Sequence, residues 1–192
     1  MAQTKLNTFG RVRTLEGWKA IAFSAALLER MLPNYQLFCE TTGYDDEGAC
    51  RHCLDLIWES LQSPKSRINF GLQLDKVEEA TPDTQQYDFY GVYPAIDAAV
   101  ALAATVNLII GQDEQGAVVV SKLSQGSVEA YLLLTGEATD ETVKSHPLMT
   151  FEIDVQQELL DILSDCRQNA DTAKKLRELA LEAGISNIGL EL

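Results

Sequence analysis

A chain of 192 residues is long enough to bury a core without staples, so a single domain spanning 1–192 is expected. Its 46% hydrophobic and 23% charged residues exclude a disordered chain. With 29 acidic against 15 basic residues the formal charge is -14, which argues against nucleic acid and anionic membrane surfaces as partners.

The opening residues, Met1 to Gly10, lack the apolar stretch of a secretory signal. The longest apolar run is interrupted by Thr105 and Asn107 and falls short of the roughly 18 to 20 residues that cross a bilayer. A cytoplasmic address is expected, where Cys39, Cys50, Cys53 and Cys166 stay reduced thiols.

Taken in order, Thr14 can cap a helix carrying Leu15, Trp18, Ala22, Ala25, Leu28 and Leu32 at helical spacing. Pro33 ends that helix or starts the next. Tyr35, Leu37, Phe38 and Cys39 form a short helical piece, closed by Gly43 as its C′ residue. Asp45, Asp46 and Glu47 place negative charge in the first turn of a third helix, where the dipole favours it. Its stripe of Cys50, Cys53, Leu54, Ile57 and Leu61 marks a core-facing surface, stopped by Ser63-Pro64. Phe70, Leu72, Leu74 and Val77 give another helix, punctuated by Thr81-Pro82.

The segment Tyr87 to Ala104 sets the architecture. Aromatic residues crowd a turn, and Pro94 then occupies the first helical position, where its missing N–H has no partner to lose. From Ala95 to Ile110 every face is apolar apart from Asp97, as befits a central, Ala-rich, buried helix. Val106 to Val120 reads as a helix ending at Gly111 and a new one from about Glu114, in preference to a β-hairpin.

Ser127 to Thr135 is helical and ends at Gly136. Thr139-Asp-Glu begins a short helix stopped by His146-Pro147. Leu148, Phe151, Val155, Leu159, Ile162, Leu163 and Cys166 form the cleanest amphipathic stripe. Asp171 caps a last helix, terminated by Gly184. The expected fold is all-α: one bundle of about eight or nine helices.

Catalytic signatures are sparse. Cys50-Arg-His-Cys53 has zinc-ligand or redox spacing, but no second ligand pair follows and no βαβ context surrounds it. Both thiols fall on the apolar stripe, so core packing is the expected role, with no metal and no cofactor. His52 and His146 do not form the Glu-x-x-His pairs of a di-iron bundle. Phosphate-loop, dinucleotide and nucleophile-elbow motifs are missing.

Asp97 is the one carboxylate expected among buried side chains. The helix dipole lowers the cost of its charge, and Arg30 is the basic partner expected for it. Backbone N–H groups or a tyrosine hydroxyl satisfy it in the plainer reading. In the sharper one, Glu29, Arg30, Tyr90, Tyr93 and Asp97 surround a pocket for a polar ligand.

Several segments together resemble a known family. They are Glu29-Arg-Met31 with Pro33-Asn-Tyr35, Phe38-Cys39, Thr42-Gly43, Leu54-Asp-Leu-Ile-Trp-Glu59, Tyr90-Gly-Val-Tyr-Pro-Ala-Ile-Asp97 and Ser186-Asn-Ile-Gly189. On these the chain resembles, over nearly its whole length, the YjaG-like proteins of gammaproteobacteria, a domain of unknown function. The resemblance implies a single, largely up-and-down helical bundle and carries no catalytic residue, cofactor or substrate. It also leaves Cys50 and Cys53 outside the motif. Two functions are therefore expected: a non-enzymatic, acidic protein that binds another protein or itself, or a small-molecule binder or enzyme using the Asp97 pocket.

Overall fold

Asn7 starts the first helix of the computed structural model, which describes residues 7–192, by accepting the Gly10 N–H at 2.8 Å. This short helix, α1 (Thr8–Val12), was not foreseen; five residues give no periodicity to read. Its Arg11 reaches Gln157 and Asp161, tying it to a helix far along the chain.

The second helix, α2 (Trp18–Thr42), runs unbroken through Pro33, contrary to the expected break there. Proline removes the N–H that would bond the Glu29 carbonyl and normally costs about 3 kcal/mol inside a helix. Packing overrides it. After α3 (Ala49–Gln62), α4 (Phe70–Glu79), α5 (Val92–Ile109), α6 (Gly116–Thr135), a 3-10 turn (Val143–Ser145), α7 (Pro147–Asp165) and α8 (Ala170–Leu181), α2 emerges as the helix touching α3, α5, α6, α7 and α8. Gly43 ends it with φ 70°, a left-handed cap that glycine adopts without strain.

The described residues thus form eight α-helices and one 3-10 turn, with no strand and one isolated bridge between Ile185 and Glu191. The all-α bundle expected from the sequence is the fold. The region 106–120 is helix, turn and helix: Gln112 N–H bonds the Asn107 carbonyl at 2.8 Å, and Gly111 turns at φ 75°.

Local chemistry explains the remaining boundaries. Asp46 lies before α3, not in its first turn, and its side chain accepts the N–H groups of Gly48 and Cys50, both at 3.0 Å. Pro94 is the third residue of α5, still within the turn whose N–H groups lack helical partners. Asn169, not Asp171, caps α8 through the Thr172 N–H at 2.8 Å; Asp171 sits in its first turn.

One extended core joins the helices, built around Phe23, Leu27, Leu28, Met31, Leu54, Ile57, Trp58, Ala98 and Leu102. A smaller cluster of Val128, Leu132, Val143, Met149 and Ile188 closes one end. By length and composition α5 is the one described helix matching a membrane span; half of it is buried, against α2, α3, α4 and α6. Its encirclement is incomplete, because Tyr93 and Val100 reach solvent. The residues after α8 turn back as a hook, with Ser186 and Asn187 fully buried.

Candidate functional site

The five residues expected around one pocket lie in three places. Glu29 and Arg30 are neighbours on α2 and therefore point about 100° apart. Glu29 faces α3 and α8. Arg30 faces α7, and Tyr90, Tyr93 and Asp97 gather at the start of α5.

Glu29 is only 2% exposed yet forms part of the wall of a cleft of about 630 Å³. Arg51 Nη1 lies 3.1 and 3.0 Å from its two oxygens. Trp58 Nε1 and Arg177 Nε each lie 2.9 Å from Oε1. Arg177 also donates to Asp55 at 2.8 Å and packs over the Trp58 ring. Two guanidiniums and two carboxylates thus neutralise one another. Beyond them the cleft is walled by Pro33, Leu37, Leu181, Leu190 and Leu192, with Glu40 and Glu191 also lining it.

Arg30 does not pair with Asp97. Its Nε and Nη2 donate to Glu152 Oε2 at 3.3 and 3.0 Å, in an ion pair 1% and 0% exposed. Ser124 Oγ and Gln156 Nε2 donate to the other Glu152 oxygen at 2.6 and 2.9 Å. Ser121 and Gln125 donate to Gln156 Oε1 at 2.7 and 3.0 Å. The hook completes this buried network. Asn187 donates its backbone N–H to the Arg30 carbonyl at 3.0 Å and its amide to the Ser124 carbonyl at 3.1 Å, and accepts from Asn34 at 2.8 Å.

Asp97 takes its hydrogen bond from Ser127 Oγ at 2.6 Å. Burial raises its carboxyl above the ordinary 3.8, and the Ser127 bond pulls the other way. Burial lifts the Tyr90 phenol to about 12, helped by the Asp97 charge and by Tyr131. Tyr90 lies 6.3 Å from both the Tyr93 and Tyr131 rings. Tyr90, Tyr93, Asp97 and Ser127 line none of the five main clefts, and Tyr131 borders only the one shared with His146 and Phe151.

Cys50 and Cys53 are buried, and burial pushes both thiols up to about 12, so little reactive thiolate exists near neutral pH. Among the described residues no group of three or more His, Cys, Asp or Glu is arranged to hold a metal ion.

Sequence reasoning missed Arg51, Asp55, Trp58, Glu152, Gln156, Arg177 and Asn187 as members of these networks. A signal existed for two of them. Glu152 and Gln156 sit four apart on the buried face of α7, beside Met149, Val155 and Leu159. Polar residues at core positions mark a buried network.

The protein-family model described as "Protein of unknown function (DUF416)" matches residues 7–191. The "Uncharacterized protein YjaG" of Escherichia coli (strain K12) is 44% identical over 185 residues, covering 94% of each chain. An "Uncharacterized protein" of Haemophilus influenzae is 37% identical over 186 residues, 94% of this chain and 95% of that one. The crystal structure of a DUF416 family protein from Shewanella baltica superposes with a TM-score of 0.90 at 35% identity, covering 98% of this chain and 100% of that one.

Proposed function

The chain belongs to the DUF416 family, described as of unknown function, and we propose that it is a non-enzymatic docking protein of the cytoplasm. It takes a basic, amphipathic segment of another protein into the cleft bounded by α2, α3, α8 and the C-terminal hook. The observation that carries this reading is the lining of that cleft: exposed Leu37, Leu181 and Leu192 share it with Glu40, Asp55 and Glu191.

Arg51 and Arg177 are paired with Glu29 and Asp55 while Glu40 and Glu191 stand outside those pairs, so the leftover charge is acidic. An apolar strip with such charge suits a helix with an apolar face and Lys or Arg beside it. The formal charge of -14 draws such a segment in at long range. A small polar ligand finds less to hold. The Glu29 carboxylate is already occupied by Arg51, Trp58 and Arg177. Among the described residues the unpartnered buried side-chain atoms are Asn34 Oδ1 and Gln73 Oε1, neither of them in this cleft. The Asp97 region offers a ligand less still, because Asp97 lines none of the five main clefts and Ser127 already bonds one of its oxygens.

The test titrates the protein with a labelled helical peptide of Leu and Lys, amphipathic in one version and scrambled in the other. Expected is saturable binding of the amphipathic version, about tenfold tighter than the scrambled one and weakened about tenfold by Leu37→Glu or Leu181→Glu. Equal binding of both peptides, or indifference to the cleft substitutions, rejects the reading.

A further inference from the structure

On a different face, α5 and α6 run antiparallel, joined by the Asp97–Ser127 bond and by the contact of Gly116 with Ala104. Their outward surface is unusual for so charged a chain. Between Asp88 and Asp113 the only charged residue is Asp97, which lies half-buried on the α6 side. Tyr93 is 55% exposed and Val100 40%, and they lead on to Asn107 at successive intervals of seven residues. Intervals of seven keep these three within a narrow stripe of the helix. On α6 the neighbouring stripe is Leu123, Gly126, Ala130 and Leu134, the last 63% exposed.

We propose that this face joins two copies of the chain about a two-fold axis at Val100, with α5 antiparallel to its counterpart and α6 on the flanks. Charge argues for a second copy as the occupant. Two bodies of charge -14 repel, so self-association needs a face from which charge has been removed, and this is such a face.

The pattern is also self-complementary, as an isologous contact requires. Tyr93 and Asn107 lie seven residues either side of Val100, about 10 Å along the helix each way. The two-fold therefore sets each Tyr93 phenol opposite an Asn107 carboxamide of the other copy, while the Val100 side chains meet at the centre. Ala103 and Ala104 keep the helix surface low beside Val100, which suits a close interaxial distance. The surface is separate from the docking cleft on α2, α3 and α8, and stands whether or not that cleft binds peptides.

Sedimentation velocity tests the proposal on the full chain. The expected species has twice the 21.2 kDa of one chain and dissociates on Val100→Glu or Ala130→Glu, with the circular dichroism spectrum unchanged. Leu72→Glu, an exposed leucine on α4, leaves it intact. Association tightens as salt rises, because screening relieves the like-charge repulsion.

Oxidative cross-linking reads the register, with the unsubstituted chain giving the background of its four native cysteines. Val100→Cys links to itself; Tyr93→Cys does not, but links when mixed with Asn107→Cys. A monomer at about 100 µM, a dimer that survives both glutamate substitutions, or Tyr93→Cys linking to itself as fast as Val100→Cys overturns the proposal.

Discussion

Arg30 and Glu152 face each other across α2 and α7 at 3.0 Å, with neither side chain exposed to solvent. Each charge has left water, and the desolvation is offset only because Ser124, Gln156 and the hook surround the pair with further hydrogen bonds. Removing one partner strands the other. Arg30→Met is expected to destabilise the fold by about 3–5 kcal/mol, whereas Arg30→Met with Glu152→Leu recovers much of that loss. Urea unfolding of the two variants measures the difference; equal losses in both contradict the account.

The hook is held chiefly by Asn187. Asn187→Ala keeps the backbone bond to the Arg30 carbonyl but leaves Asn34 and the Ser124 carbonyl without their partner. A loss of about 1–3 kcal/mol is expected from the unmade buried bonds. Hydrogen exchange checks it: the amides of Ser186 to Leu192 lose protection first.

Two helical glycines on α6 predict opposite signs. A Cβ on Gly116 would lie 2.5 Å from the Ala104 carbonyl oxygen, so Gly116→Ala pushes α5 and α6 apart. The cost is about 1–3 kcal/mol. Gly126 has open space around its Cβ position, and Gly126→Ala gains roughly 0.5–1 kcal/mol from helix propensity. Thermal melts that rank the two variants the other way contradict the close approach.

Asp97 makes a pH prediction. Burial raises its folded pKa above the ordinary 3.8, so between those two values the folded state holds more proton than the unfolded one. Stability from this group is fully present below the unfolded value and is lost as pH rises through the folded one. Asp97→Asn, still able to accept from Ser127, should therefore exceed the wild type in melting temperature at pH 7. The advantage should shrink as pH falls towards 4. An advantage that grows on acidification would falsify the assignment.

Much of the helix content was legible because its causes are local. The Cys50, Cys53, Leu54, Ile57, Leu61 stripe predicted the buried face of α3, and all five residues lie on it. The turn at Gly111 followed from glycine's access to positive φ, and the structure places it there at 75°. The continuity of α2 was not legible. A proline break is the local expectation at Pro33, and only packing against five other helices offsets it.

The candidate site followed the same division. Tyr90, Tyr93 and Asp97 do cluster at the start of α5, because Tyr93 and Asp97 are four apart on one helix face and Tyr90 lies just before the helix. Glu29 and Arg30 were rightly singled out as unusual, but their partners lie on α3, α7 and α8. Arg30 reaches Glu152 across 122 positions, and no periodicity encodes such a pairing.

By itself, then, the sequence determined the all-α class, most of the helices and the sparseness of charge along α5, where Asp97 stands alone. Each follows from interactions within a few residues, where spacing maps directly onto a helix face. The tertiary structure alone decided that α2 is the hub, that Arg30 answers Glu152 and not Asp97, and that Glu29 borders a leucine-lined cleft. Those outcomes depend on which helix faces meet, and that is settled by packing the whole core at once.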